Sequence, residues 1–212
     1  AAINSKELDW VPAVENFGEG LFIGVNEAVL QEWSKRDGVV QHSSKHREAC
    51  KLWNRDHGLK SEDFDWPGQT YLMLHSLAHL LITTAALECG YGASSIKERI
   101  YTFPGQGHGI LLYTSGSGSE GTLGGLVSLT DRIDQLVEAA LERGRLCSND
   151  PFCSMHDPEN NFEKRYSHGA ACHGCLLIAE TSCEQRNQFL DRAFVVSTLN
   201  QSEAAFFPDV LE

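Results

Sequence analysis

The sequence predicts a mixed α+β (α/β) fold in a single domain, with a central buried helix and a C-terminal lobe stapled by its cysteines. Three observations carry this expectation. The apolar run from Tyr71 to Leu87 is too long for a strand, yet it falls just short of a bilayer span and carries His75 and His79. Short apolar segments at 21–25 and 110–113 read as strands. Five of the seven cysteines fall between Cys147 and Cys183, beside a polar stretch with few aliphatic residues.

The elements follow in chain order. After the strand at 21–25, Asn26 supplies an N-cap for a helix from Glu27 to Arg36, which Gly38 ends. A polar surface helix is expected from Ser44 to His57, stopped by Gly58. Pro67-Gly68 makes a turn into the central helix, and Cys89-Gly90 closes that helix. Ser95 and Glu98 stand in capping-box spacing, which predicts a short helix from Ile96. Ile133, Leu136, Val137, Ala140 and Leu141 repeat at helical spacing and end at Gly144. Thr181 and Glu184 form a second capping box, predicting an amphipathic helix through Arg192. The chain thus divides into an N-terminal strand and helix segment (1–70) continuing a larger protein, an α/β core (71–145), and a cysteine lobe with a C-terminal helix (146–212).

Among 212 residues, 17 basic and 29 acidic side chains leave a formal charge of -12, so the whole-molecule field repels nucleic acid and anionic membrane. With 42% hydrophobic and 22% charged residues the chain is an ordinary globular one. Its start, Ala1-Ala2-Ile3-Asn4, has no secretory pattern, which places it in the cytoplasm, where thiols stay reduced. Seven cysteines there read as metal ligands and buried thiols rather than disulfides.

The cysteine spacing points to zinc. Cys172-x2-Cys175 forms a knuckle that places two thiolates on one tetrahedral ion, and Cys147-x5-Cys153 supplies a second pair. The 18 residues between Cys153 and Cys172 lie in the range of about 15 to 20 found in zinc modules. The expected ligands are Cys147, Cys153, Cys172 and Cys175, holding one Zn2+ per chain. Cys183, His156, His168 or His173 could replace one of them. Cys183 at a helix start could also be a reactive thiol, and Cys172 with Cys175 a redox pair.

His75 and His79 share one face of the central helix at a spacing used by zinc enzymes, but no glutamate lies between them to act as base. They read as buried and hydrogen-bonded, with a metal-dependent hydrolase as the alternative. The run from Gly116 to Gly125 formally contains G-x-G-x-x-G, but no Lys-Ser or Lys-Thr follows, so it reads as a turn rather than a phosphate cradle.

Taken together, five segments resemble a known family. They are His75-Ser76-Leu77-Ala78-His79, the strand from Gly109 to Thr114, the run from Glu120 to Leu126, Cys172-His173-Gly174-Cys175, and Glu180-Thr181-Ser182-Cys183. In this order they resemble the zinc-binding domain of MrfA-type DNA repair helicases, in the version found in DrmB, the helicase-associated subunit of the DISARM anti-phage system. The likeness covers about residues 70–196. It departs from the helicase pattern in a longer first cysteine spacing and in His173 where proline is usual. The resemblance implies a non-catalytic accessory domain or subunit that holds zinc with four cysteines. It would partner a superfamily 2 helicase in anti-phage defence or DNA repair, and reach DNA only through that complex.

Overall fold

The computed structural model describes residues 15, 17–58, 66–92, 94–103, 105, 107–114, 124–160 and 162–208. Three strands among them form an antiparallel sheet in the order β1-β3-β2, with β1 at Gly20–Val25, β2 at Ile96–Phe103 and β3 at Gly107–Thr114. Leu21 pairs with Leu112, and Ile100 with Ile110. Side chains alternate across a strand, so Leu21, Ile96, Ile100, Ile110 and Leu112 form one buried apolar face.

That face packs on α3, Gln69–Cys89, which also meets α5, Ile133–Arg145. Fifteen of the 21 residues of α3 are buried, from Tyr71 to Ala86. The helix is long and apolar enough to cross a membrane, but 78% of its most apolar window is covered by the rest of the fold. Its apolarity builds the core. Gly90 ends it in the left-handed conformation that glycine adopts without penalty, its N–H bonded to the carbonyl of Ala86.

Asn26 caps α1, Glu27–Trp33, as expected, its side chain accepting the N–H groups of Ala28 and Val29. Gly38, however, does not stop a helix. It lies inside α2, Asp37–Asp56, which starts earlier than predicted and buries one face through Val39, His46, Ala49 and Cys50. A Cβ at Gly38 would collide with the Cβ of Glu203 and approach its carbonyl carbon to 2.9 Å, so the glycine permits close packing of α2 on the C-terminal segment. Nearby, the Trp33 indole donates to the Ala204 carbonyl at 2.9 Å. Gly38→Ala should therefore destabilise by about 1 to 3 kcal/mol through overpacking, outweighing a helix-propensity gain of at most about 1 kcal/mol. Denaturant unfolding measures the difference.

Two predicted helices are replaced by other structure. Residues 96–103 are strand β2, because Ile96 and Ile100 alternate onto the buried face and sheet pairing outweighs the local cap signal. In place of the helix expected after Thr181 there are two 3-10 turns, Glu180–Ser182 and Arg192–Phe194. The N–H groups of Gln185 and Asn187 bond to the sulfur of Cys183 instead of continuing a helix, and Arg186, Asn187 and Phe189 take positive φ. A short α4, Gly125–Ser128, precedes α5. The Glu19 carboxylate accepts the N–H groups of Gly124, Leu126 and Val127 at its start. Of the glycine-rich run, residues 116–123 lie outside the described residues.

Candidate metal centre

The first part of the cysteine lobe, from Leu146 to Phe162, buries few large apolar side chains. Phe152 and Phe162 are 86% and 98% exposed, and Leu146 and Met155 also face solvent. What converges instead are four sulfurs. Cys147 follows the end of α5, and Cys153 follows the turn in which its N–H bonds to the Asn149 carbonyl. Cys172 and Cys175 form the predicted knuckle, with the N–H groups of Cys175 and Leu176 both on the Cys172 carbonyl.

The Sγ atoms of Cys147 and Cys172 are 3.5 Å apart, those of Cys153 and Cys175 3.7 Å, and those of Cys172 and Cys175 3.8 Å. All four lie within 4.8 Å of one another. Four sulfurs at about 2.3 Å from a tetrahedral zinc stand about 3.8 Å apart, so this spacing fits the ion. A disulfide would need about 2.05 Å. The sulfurs also receive backbone and amide donors, as thiolate ligands do. Cys172 accepts from Gly174 N and Asn149 Nδ2, and Cys147 from Asn149 N. Burial works against the charged form of Cys172, but these donors outweigh it and bring its thiol down to about 7. Gly174 packs closely here: a Cβ would stand 2.8 Å from Ser148 Oγ and 3.5 Å from Cys147 Sγ.

The first cysteine turn is lashed down from outside. The buried Arg192 guanidinium reaches both carboxylate oxygens of Asp150 at 2.6 Å and the Gly144 carbonyl at 3.0 Å. The other sequence candidates lie elsewhere. His156 bonds Glu163, and the Nε2–H of His168 donates to the Asn187 carbonyl. His173 is not in the sulfur cluster. Cys183 is buried beside the central helix, where it joins a second group.

That second group is His75, His79, Glu98 and Cys183, all buried, with one donor atom from each within 4.8 Å of the others. His75 Nε2 lies 2.8 Å from Glu98 Oε1 and 3.1 Å from Cys183 Sγ, and His79 Nε2 lies 3.2 Å from the same Glu98 oxygen. The sequence reading of two buried, hydrogen-bonded histidines holds: their Nδ1 atoms meet the carbonyls of Phe189 at 3.2 Å and Leu176 at 2.8 Å. It missed the carboxylate, which arrives from β2. Burial disfavours charge on both His75 and Glu98, yet their mutual attraction outweighs it, holding the ring pKa up and the carboxylate pKa down.

A third constellation, also missed, is His42, His46 and Asp191. Both ring Nε2 atoms meet Asp191 Oδ2, at 2.7 and 2.8 Å, while Oδ1 accepts the N–H groups of Ala170 and Ala193. Four donors fill the four lone-pair positions of this carboxylate, so it is a hydrogen-bonded tie between α2 and the C-terminal segment. The i, i+4 spacing of His42 and His46 is its trace in the sequence.

Residues 77–176 match the family of the MrfA Zn-binding domain, a segment that contains all four clustered cysteines. Over 206 residues, 96% of this chain, the sequence is 38% identical to a DISARM protein DrmB of Bacillus paralicheniformis. The chain spans 36% of the length of that relative.

Proposed function

We propose, for a chain that carries the MrfA Zn-binding domain and holds zinc, that it is a non-catalytic DrmB-like module which works in the cytoplasm by contact with a superfamily 2 DNA helicase, in DISARM anti-phage defence or in DNA repair. The single observation that carries this reading is the convergence of Cys147, Cys153, Cys172 and Cys175 at tetrahedral spacing within the matched segment. These four are the proposed zinc ligands. A site closed by four protein sulfurs leaves the ion no open position for substrate or water, which marks it as structural. The zinc would hold the two cysteine turns together, and the chain's own residues would present the surface that a partner reads.

The two enzyme readings have less support. A hydrolase at His75 and His79 needs a position open to water, whereas both rings are 0% exposed and Glu98 is 2% exposed. A redox pair at Cys172 and Cys175 would stand apart as two thiols, whereas two more sulfurs lie at the same spacing. The formal charge of -12 supports DNA contact through the complex rather than by this chain.

Copurification in high salt of the protein with any superfamily 2 helicase encoded in the same gene neighbourhood tests the proposal. Stable association, with no ATPase or nuclease activity from the chain alone, is the expected result. A chain that stays alone and shows either activity would overturn the accessory reading.

A further inference from the structure

We propose that His75, His79, Glu98 and Cys183 form a second, fully buried metal site that takes a divalent ion of the zinc type, separate from the four-cysteine site and structural in role.

The two imidazoles are oriented as metal ligands are. A carbonyl oxygen only accepts, so the Nδ1 atoms facing the Phe189 and Leu176 carbonyls carry the protons. In the neutral rings this leaves both Nε2 lone pairs bare, converging on Glu98 Oε1 and on Cys183 Sγ. Four lone-pair donors facing one another repel unless a cation or extra protons sit between them. Anchoring Nδ1–H on a main-chain carbonyl is how metal-bound histidines are held.

Cys183 and Glu98 are also set to face a cation. The Cys183 sulfur accepts the N–H groups of Asn187 at 3.1 Å and Gln185 at 3.4 Å, the environment of a thiolate. Those bonds displace the helix expected there, so the chain gives up regular structure around this atom. Glu98 stands in the inward row of β2 between Ile96 and Ile100, opposite Leu112 on β3. A carboxylate in an apolar row is costly unless charge compensates it. Its Oε2 is buried and has no hydrogen-bond partner among the described residues, which leaves coordinating capacity unused.

Charge and ligand type suit a divalent ion. Two neutral imidazoles, one carboxylate and one thiolate carry two negative charges, which a divalent ion cancels within a site closed to water. Two protons on the imidazoles would also cancel them, and that is the competing state. Three of the six donor pairs lie 2.8 to 3.2 Å apart and all lie within 4.8 Å, the three short ones up to about half an ångström tighter than the roughly 3.3 to 3.5 Å edges of a tetrahedral zinc site with nitrogen, oxygen and sulfur ligands. Mixed imidazole, carboxylate and thiolate ligation suits zinc better than the hard cations calcium and magnesium. Such an ion would join α3, β2 and the segment after Cys175, since the Leu176 carbonyl that anchors His79 follows the zinc knuckle directly.

The test is metal stoichiometry and X-ray absorption at the zinc edge on the wild-type full-length protein. Two zinc ions per chain, with a mean shell of sulfur, imidazole nitrogen and oxygen, is the expected result. One zinc in an all-sulfur shell would overturn the proposal and establish the protonated cluster. Cys183→Ser and Glu98→Gln should each lower the content from two ions towards one, leaving the four-thiolate spectrum of the cobalt-substituted protein unchanged. A wild-type content of two with no loss in either variant would place the second ion elsewhere and equally overturn the assignment. Because the wild-type measurement needs no variant to fold, and the all-sulfur site is read separately, failure here leaves the accessory-module reading standing.

Discussion

Replacing Cys172 and Cys175 together with serine should empty the four-cysteine site and unfold the segment from residue 146 to 175, while the sheet amides in β2 and β3 keep their protection from hydrogen exchange. Of the segment's large side chains Leu146, Phe152, Met155 and Phe162 are exposed and Tyr166 is buried, so apolar burial does little beside the metal to oppose its chain entropy. Structural zinc supplies about 10 to 16 kcal/mol of apparent binding energy in isolated zinc modules, as much as the roughly 5 to 15 kcal/mol stability of a whole domain. No other interaction of the lobe approaches that. Arg192 with Asp150 would persist as a local tie but cannot replace it. Elemental analysis and hydrogen exchange read the outcome, and a lobe that stays protected without zinc would contradict it.

Asp191→Ala should be the most damaging single change away from the sulfurs, by about 3 to 5 kcal/mol in denaturant unfolding, because it strands four donors in the interior. The Ala170 and Ala193 N–H groups and the rings of His42 and His46 all lose their acceptor. The same tie makes the fold acid-sensitive. Burial lowers the pKa of His46, and the attraction of Asp191 does not make up for it, so the unfolded chain takes up that proton first. Burial raises the pKa of Asp191, but the two rings outweigh this and hold it well below the usual carboxylate value. Both folded values are depressed, so both contributions are present at neutral pH and fall with acid. The loss through His46 begins below about pH 6.5, and that through Asp191 below about pH 4. Between pH 7.5 and 5.5 the raised ring pKa of His75 acts in the opposite sense, gaining stability as pH falls, so the test is a difference: over this window the wild type should lose more unfolding free energy than His46→Gln, with zinc content followed in parallel, and equal pH slopes would count against this assignment.

The parts legible in the sequence are those whose signal is local and long. The apolar run of α3, the periodic α5, the strands at 21–25 and 110–113, the Asn26 cap and the paired cysteines all stand where their spacing places them. Two capping boxes misled because three-residue spacing says nothing about the partners across space. At Ser95 the alternation of Ile96, Glu98 and Ile100 carried the truer signal, since it is a strand pattern with one charged residue in the apolar row. At Thr181 the sulfur of Cys183 took the donors that a helix requires. Gly38 gave the sign of a helix stop because its actual neighbour, Glu203, lies far along the chain. The second cluster was hidden for the same reason. Sequence shows two histidines one turn apart, but Glu98 and Cys183 reach them only through the packing of β2 and the C-terminal segment on α3.

Anomalous scattering from crystals of the protein, recorded on both sides of the zinc absorption edge, shows whether the four clustered sulfurs hold zinc. A peak enclosed by Cys147, Cys153, Cys172 and Cys175, about 2.3 Å from each sulfur, is the expected result. An ordered lobe with no peak there, or with disulfides joining these cysteines, would contradict it.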